Sequence, residues 1–153
     1  GGPNLQQFLS PVHCAEVSNS GLVYVCDRAH DRIQVFQKDG TFVDEMLVLP
    51  NTTGSGAAWD IDFSRDPEQA YIYLADGVNQ RVHIIDRVNL AYLTSFGDGG
   101  RQPGQFFGAH SIATDSEGNI YTTETYEGKR VQKFVYKGLG PVTTDYRGVV
   151  WPQ

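Results

Sequence analysis

Leu22-Val23-Tyr24-Val25-Cys26-Asp27, a polar stretch Arg28–Asp31, and then Arg32-Ile33-Gln34-Val35-Phe36 decide the fold. Each apolar run is five or six residues long, rich in β-branched and aromatic side chains, and bounded by turn formers: Gly21 before the first, Lys38-Asp39-Gly40 after the second. These are strand and hairpin signals. The pattern returns as Ile72-Tyr73-Leu74-Ala75-Asp76 before Arg81-Val82-His83-Ile84-Ile85, and as Asn119-Ile120-Tyr121-Thr122-Thr123-Glu124 before Arg130-Val131-Gln132-Lys133-Phe134. Arg32, Arg81 and Arg130 stand 49 residues apart, so the chain is a repeat.

Working outward, each unit also has an upstream run: His13-Cys14-Ala15-Glu16-Val17, Trp59-Asp60-Ile61-Asp62-Phe63 and His110-Ser111-Ile112-Ala113-Thr114. Ser18-Asn19-Ser20-Gly21 and Asp115-Ser116-Glu117-Gly118-Asn119 are hairpin connectors, and a fourth strand follows in two units, at Thr41-Phe42-Val43 and Ala91–Phe96. No stretch keeps a helical apolar period, so almost no helix is expected. Four short antiparallel strands at this spacing describe one propeller blade, with the run opening at His13, Trp59 or His110 as its inner strand.

The order of strand, turn glycine, Tyr-Val-x-Asp, short loop, Arg-Ile-Gln-Val-Phe and Asp-Gly resembles an NHL repeat, over Val12–Met46, Ala58–Gly97 and Ala109–Gly138. The resemblance implies an all-β propeller, usually six-bladed. The expected organisation over 1–153 is a partial propeller of about three four-stranded blades, near 9–48, 57–97 and 107–138, with a tail at 139–153. Three blades do not close a ring. The opening Gly1-Gly2-Pro3-Asn4-Leu5-Gln6-Gln7-Phe8 parallels the inter-blade connector Gly99-Gly100-Arg101-Gln102-Pro103-Gly104-Gln105-Phe106, which reads as the C-terminal half of a six-bladed ring completed by a missing N-terminal half. A second copy of the chain completing the ring, and a non-propeller arrangement, are the alternatives. The tail, with Val149-Val150-Trp151, supplies the last outer strand or crosses to another blade.

The 153 residues carry 18 acidic and 12 basic side chains, a net charge of −6 with no Lys/Arg cluster. Phosphate-backbone binding is therefore disfavoured, and with it a nucleic-acid partner. No apolar run is long enough for a membrane span. Seventeen glycines and the aromatic content of eight Tyr and eight Phe fit many turns between aromatic-rich strands.

In a propeller the inner strand starts beside the central channel, on the face that also carries the loops 27–32, 76–81 and 124–130. His13, Arg28, His30, Trp59, Asp76, Asn79, His110, Glu124 and Tyr126 thus converge on one funnel, a mixture suited to a divalent metal or a small polar ligand. The competing reading of His13 and His110 is a pair of polar residues lining a wet channel. For Asp27/Arg32, Asp76/Arg81 and Glu124/Arg130 the plain expectation is charge pairing across the loop. Tyr24, Tyr73 and Tyr121 are expected to fill the space between blades. Asp60 and Asp62 lie on one face of their strand, on a blade surface or at the channel wall.

Ser10-Pro11-Val12-His13, Cys26–Gln34 and Gly108–Ala113 are similar to the C-terminal part of peptidylglycine amidating lyases and their bacterial relatives. The resemblance implies zinc held by channel histidines, matched here by His13 and His110, and a catalytic arginine, matched by Arg28. The family's third histidine and its tyrosine loop have no match in this sequence, and Ser111 replaces the usual Asp. Calcium-dependent lactonases are the other enzyme class considered on such propellers, with Glu16, Asp60, Asp62 and Asn79 as donors by type. The expected function is a propeller module that binds a ligand, a metal or a protein partner through its channel and loop face; the alternative is a zinc-dependent lyase of which this chain supplies part of the site.

With Ser18 facing Leu22, Cys14 faces Cys26 across the first two strands, either as a disulfide or as two buried thiols. A disulfide would suit an extracellular or periplasmic protein. The Asn51-Thr52-Thr53 sequon adds little to that assignment.

Overall fold

The computed structural model describes residues 6–141. The predicted closing strand around Val149-Val150-Trp151 and the first five residues of the opening connector lie outside the described residues. Eleven strands form three antiparallel sheets. Blade A holds β1 (Val12–Val17), β2 (Val23–Asp27), β3 (Arg32–Phe36) and β4 (Phe42–Leu47) in that order. Blade B holds β5 (Asp60–Phe63), β6 (Tyr71–Asp76), β7 (Arg81–Asp86) and β8 (Ala91–Phe96), and blade C holds β9 (Ala109–Thr114), β10 (Ile120–Glu124) and β11 (Val131–Phe134). This is an all-β partial propeller, and its helical content among the described residues is the single 3-10 turn Arg28–His30.

Two apolar layers hold the blades together. Tyr24, Ile33 and Val35 of blade A meet Ile61, Phe63, Ile72, Leu74 and Ile85 of blade B. Tyr73, Ala75 and Val82 of blade B meet Phe106, Ala109, Ile112 and Ile120 of blade C. Strand alternation explains why β6 reads as a continuous apolar run: Ile72 and Leu74 face blade A while Tyr73 and Ala75 face blade C, so both faces are covered. Fully buried residues such as Ile72, Leu74 and Ile85 each contribute roughly 1.5–3 kcal/mol as an upper figure for leaving water. The recurrent tyrosines behave as predicted where a following blade exists. The Tyr24 ring packs edge-on against Phe63 at 5.2 Å, and its hydroxyl accepts from Arg87 at 3.2 Å. Tyr121 instead donates to Asp115 at 2.9 Å.

Polar links sew the same seams. Asp31, Gln80 and Lys129, the residues before the repeating arginines, all adopt left-handed backbone with φ of 54, 59 and 50°. That conformation aims Asp31 Oδ1 at the Ala57 N–H (2.8 Å) and Gln80 Oε1 at the Gly108 N–H (2.7 Å), each in the connector entering the next blade. Along the inner edge, Asp60 accepts from the Ile112 N–H at 3.0 Å and Asp62 from the Thr114 N–H at 2.6 Å. The two acids thus cap the free edge of β9 and cross-link neighbouring inner strands, a third option beside blade surface and channel wall.

Loop charge pairing holds in two blades of three. Arg32 Nε donates to Asp27 at 2.8 Å and Arg130 Nε to Glu124 at 2.7 Å. Both arginines reach on to the preceding connector, through the Gln7 and Gln105 carbonyls, and the Leu9 and Phe107 N–H groups bond Asp27 and Glu124. The described part of the opening stretch is therefore held like the connector it parallels. In blade B the expected Asp76/Arg81 pair does not form. His83 takes the place of the glutamine two residues after the arginine, and its Nε2 reaches the buried Asp76 at 3.0 Å, leaving Arg81 3.4 Å from Ser95. Cys14 and Cys26, directly opposed in the β1–β2 register, are joined as a disulfide.

Candidate functional site

The histidines owe their position to two equivalent irregularities. In the β1–β2 ladder Val12 faces Asp27 and Cys14 faces Cys26; in the β9–β10 ladder Ala109 faces Glu124 and Ser111 faces Thr123. His13 and His110 are therefore the extra residues of two β-bulges, and a bulge re-aims the side chain it carries. Trp59 stands at the matching position before β5, where its N–H bonds the Ala75 carbonyl.

The three rings meet. His13 and His110 lie 5.0 Å apart, edge to face, and the Trp59 ring is 5.6 Å from His13 and 5.4 Å from His110. His13 Nδ1 is 2.5 Å from the Trp59 carbonyl. A carbonyl only accepts, so Nδ1 carries the proton and the Nε2 lone pair is left for another partner. His110 Nδ1 bonds the Ser111 hydroxyl at 3.2 Å. Arg28 completes the group, its guanidinium carbon 4.5 Å above the Trp59 ring. Its Nε is buried without a hydrogen-bond partner among the described residues.

Close backbone approach makes this packing feasible. Trp59 Nε1 donates to the Gly56 carbonyl at 2.7 Å. A Cβ at Gly56 would fall 1.9 Å from the Arg28 carbonyl oxygen, and one at Gly77 would lie 2.9 Å from Trp59 Cδ2 and Cε2. Any side chain at either position displaces Arg28 or Trp59.

Burial is the largest influence on the His13 imidazole and lowers its pKa from 6.5; Arg28 and His110 push the same way, against the Trp59 carbonyl. Burial likewise raises the Asp60 carboxyl, opposed by the Ile112 N–H and the two imidazoles. The group as placed offers a guanidinium on an aromatic plate, an imidazole lone pair and a second imidazole. It is equipped to hold a small ligand with an acidic oxygen. His13 and His110 are also close enough to share an ion, but among the described residues no set of three His, Cys, Asp or Glu side chains forms a metal-binding group. A catalytic zinc needs three protein ligands and an open position, one ligand more than these two imidazoles.

The other predicted residues are placed differently. His30 bonds Asp27 through Nδ1 at 2.8 Å. Asp76 is fully buried and accepts from the Val78 and Asn79 N–H groups, the Asn79 amide and His83. Asn79 also donates to Thr52 at 3.0 Å, and Glu124 accepts from Arg130, Gln132 and Phe107. These four brace the loops around the site. Tyr126 is 67% exposed and stands over a cleft of about 470 Å³ between blades B and C, whose wall includes Trp59, Gln80 and Phe107. Phe107 and Gln80 were not among the expected site residues. The Phe106-Phe107-Gly108 pair of aromatics before a glycine is the one signal in the sequence that marks them.

No protein-family model and no curated protein matches the chain. Solved structures do. The chain is similar to a streptogramin B lyase with a TM-score of 0.63 and 18% identity, over 94% of this chain and 45% of that one. A catalytically inactive histidine-to-alanine variant of virginiamycin B lyase from Staphylococcus aureus, with quinupristin, gives 0.58 and 18% over 87% and 44%. Hydrazine synthase from Kuenenia stuttgartiensis gives 0.58 and 12% over 95% and 42%. The likeness establishes the propeller fold, and the chain spans less than half the length of these neighbours.

Proposed function

We propose that this propeller module binds a small, acidic polar ligand at the channel mouth, held by Arg28, His110 and His13. One observation carries the reading: the Arg28 guanidinium lies over the Trp59 ring that both imidazoles also touch, and its buried Nε has no hydrogen-bond partner among the described residues. A guanidinium so placed is oriented for a carboxylate or a developing oxyanion. Acetate titrated into the full chain, followed by NMR at the His13 and His110 rings, should give saturable shifts that Arg28→Ala abolishes. Identical titrations in both proteins would remove the reading.

The second reading is a zinc-dependent lyase resembling the amidating lyases, with the chain supplying part of the site. The unprotonated Nε2 of His13 favours it, and two of the propeller neighbours are lyases by name, one inactivated by loss of a histidine. His13 and His110 would hold the ion, which when bound would act as a Lewis acid, and Arg28 would hold the substrate's acidic oxygen. The third ligand would come from outside the described residues. Calcium gains less support, since Asp60, Asp62 and Asn79 already hold neighbouring groups. Metal analysis of the full-length protein with His13→Ala and His110→Ala separates the readings: wild-type protein without stoichiometric metal removes the lyase. On both readings the blades are of the NHL type in a six-bladed ring whose other half is a missing segment or a second copy. The Cys14–Cys26 disulfide supports an extracellular or periplasmic setting.

A further inference from the structure

We infer that the cleft between blades B and C is a specificity pocket for a flat apolar group on that ligand, so that the molecule bound is an amphiphilic carboxylate rather than a bare anion. The inference rests on Arg28 as the anion-holding residue and adds Phe107 and Tyr126 as specificity residues.

The cleft, about 470 Å³, opens on the loop side and has Trp59 as the wall it shares with the histidine and arginine cluster. Gly77 and Gly108 supply backbone without side chains, and Val78, Phe107 and Tyr126 give it an apolar, largely aromatic lining. Phe107 is 36% exposed and Tyr126 67% exposed, a large aromatic surface left open to water beside a polar site.

The backbone that carries both rings is fixed. Tyr126 sits in left-handed backbone, φ 51°, a conformation costly for a bulky side chain. It belongs to a turn closed by Gly128 N–H to the Thr125 carbonyl and by Thr125 N–H to the Gly108 carbonyl. The Phe107 N–H is fixed by Glu124, and Arg101 covers the Phe107 ring at 5.1 Å. Of its polar lining, Gln80 bonds the Gly77 carbonyl and the Gly108 N–H and Glu127 pairs with Lys129 at 3.3 Å, with Ser55 as the remaining hydroxyl. What the cleft mainly offers an occupant is apolar contact with Val78, Phe107 and Tyr126, while the acid-binding cation stands across Trp59. An aryl or branched alkyl group joined by a short linker to a carboxylate matches that layout.

The test compares acetate with 3-phenylpropionate by calorimetry on the full chain, in wild type, Tyr126→Asn, Phe107→Ala and Arg28→Ala. Asparagine tolerates the left-handed backbone, so Tyr126→Asn removes the ring and keeps the turn. The expected result is 3-phenylpropionate binding about tenfold or more tighter than acetate, with Tyr126→Asn and Phe107→Ala erasing that preference and leaving acetate unchanged. Equal affinity for the two probes, or a preference that survives Tyr126→Asn, overturns the pocket while acetate binding lost in Arg28→Ala keeps the site itself. Failure of wild type to bind either acid, or binding untouched by Arg28→Ala, overturns the underlying reading as well.

Discussion

His13 and His110 are the displaced residues of two equivalent β-bulges, one in blade A and one in blade C, and their rings meet 5.0 Å apart. The tryptophan at the matching position of blade B lies against both. Three repeats thus place three rings at one point, and the variable residues of the repeat acquire a common location.

The buried His13 imidazole should titrate below 6.5. The unfolded chain then takes up a proton at that histidine before the folded one does, so the His13 contribution to stability is intact above about pH 6.5 and falls as the solution is acidified through the lowered folded value. NMR titration of the ring proton gives the midpoint, and denaturation across this range should show a pH slope that shrinks in His13→Gln.

Asp60 stands beside both imidazoles with a raised pKa. Asp60→Asn keeps an acceptor for the Ile112 N–H and removes the negative charge that favours imidazolium. It should leave the fold intact and move the His13 midpoint further down. An unchanged or raised midpoint counts against the electrostatic coupling described.

Asp76 closes the blade B loop and faces a fully buried His83. Replacing it with alanine strands two backbone N–H groups and an imidazole, which costs about 3–5 kcal/mol in chemical denaturation. Asp39→Ala, at an exposed turn, is the control and should cost less than about 1 kcal/mol.

The disulfide joins the residue after His13 to the residue before Asp27-Arg28, fastening the strand that bears the imidazole to the one that delivers the guanidinium. Cys14→Ser with Cys26→Ser should cost about 2–4 kcal/mol and weaken acetate binding beyond any change at Tyr126. Loss of stability with binding intact would make the bond purely structural.

The sequence pattern exposed the blades because alternation and turn chemistry are local, and because the 49-residue period repeats them. It also brought His13, Arg28, Trp59 and His110 to one place. The bulges were hidden, since they arise from the register between strands and leave no mark in residue type. Asp76 and Asn79 looked like site residues because a carboxylate beside a channel and a carboxylate capping its own loop have the same composition; His83, replacing a glutamine, was the sign that blade B is wired differently. Asp60 and Asp62 bond the backbone of the next blade, a long-range contact that strand alternation alone does not specify.

The central claim is that Arg28 and His110, from different blades, act on one ligand. A double-mutant cycle on 3-phenylpropionate affinity, with Arg28→Ala, His110→Ala and both together, measures this directly. The account predicts that each single variant weakens binding and that the double variant falls short of their sum by about 0.5 kcal/mol or more. Strictly additive losses, or no loss in His110→Ala, would contradict it.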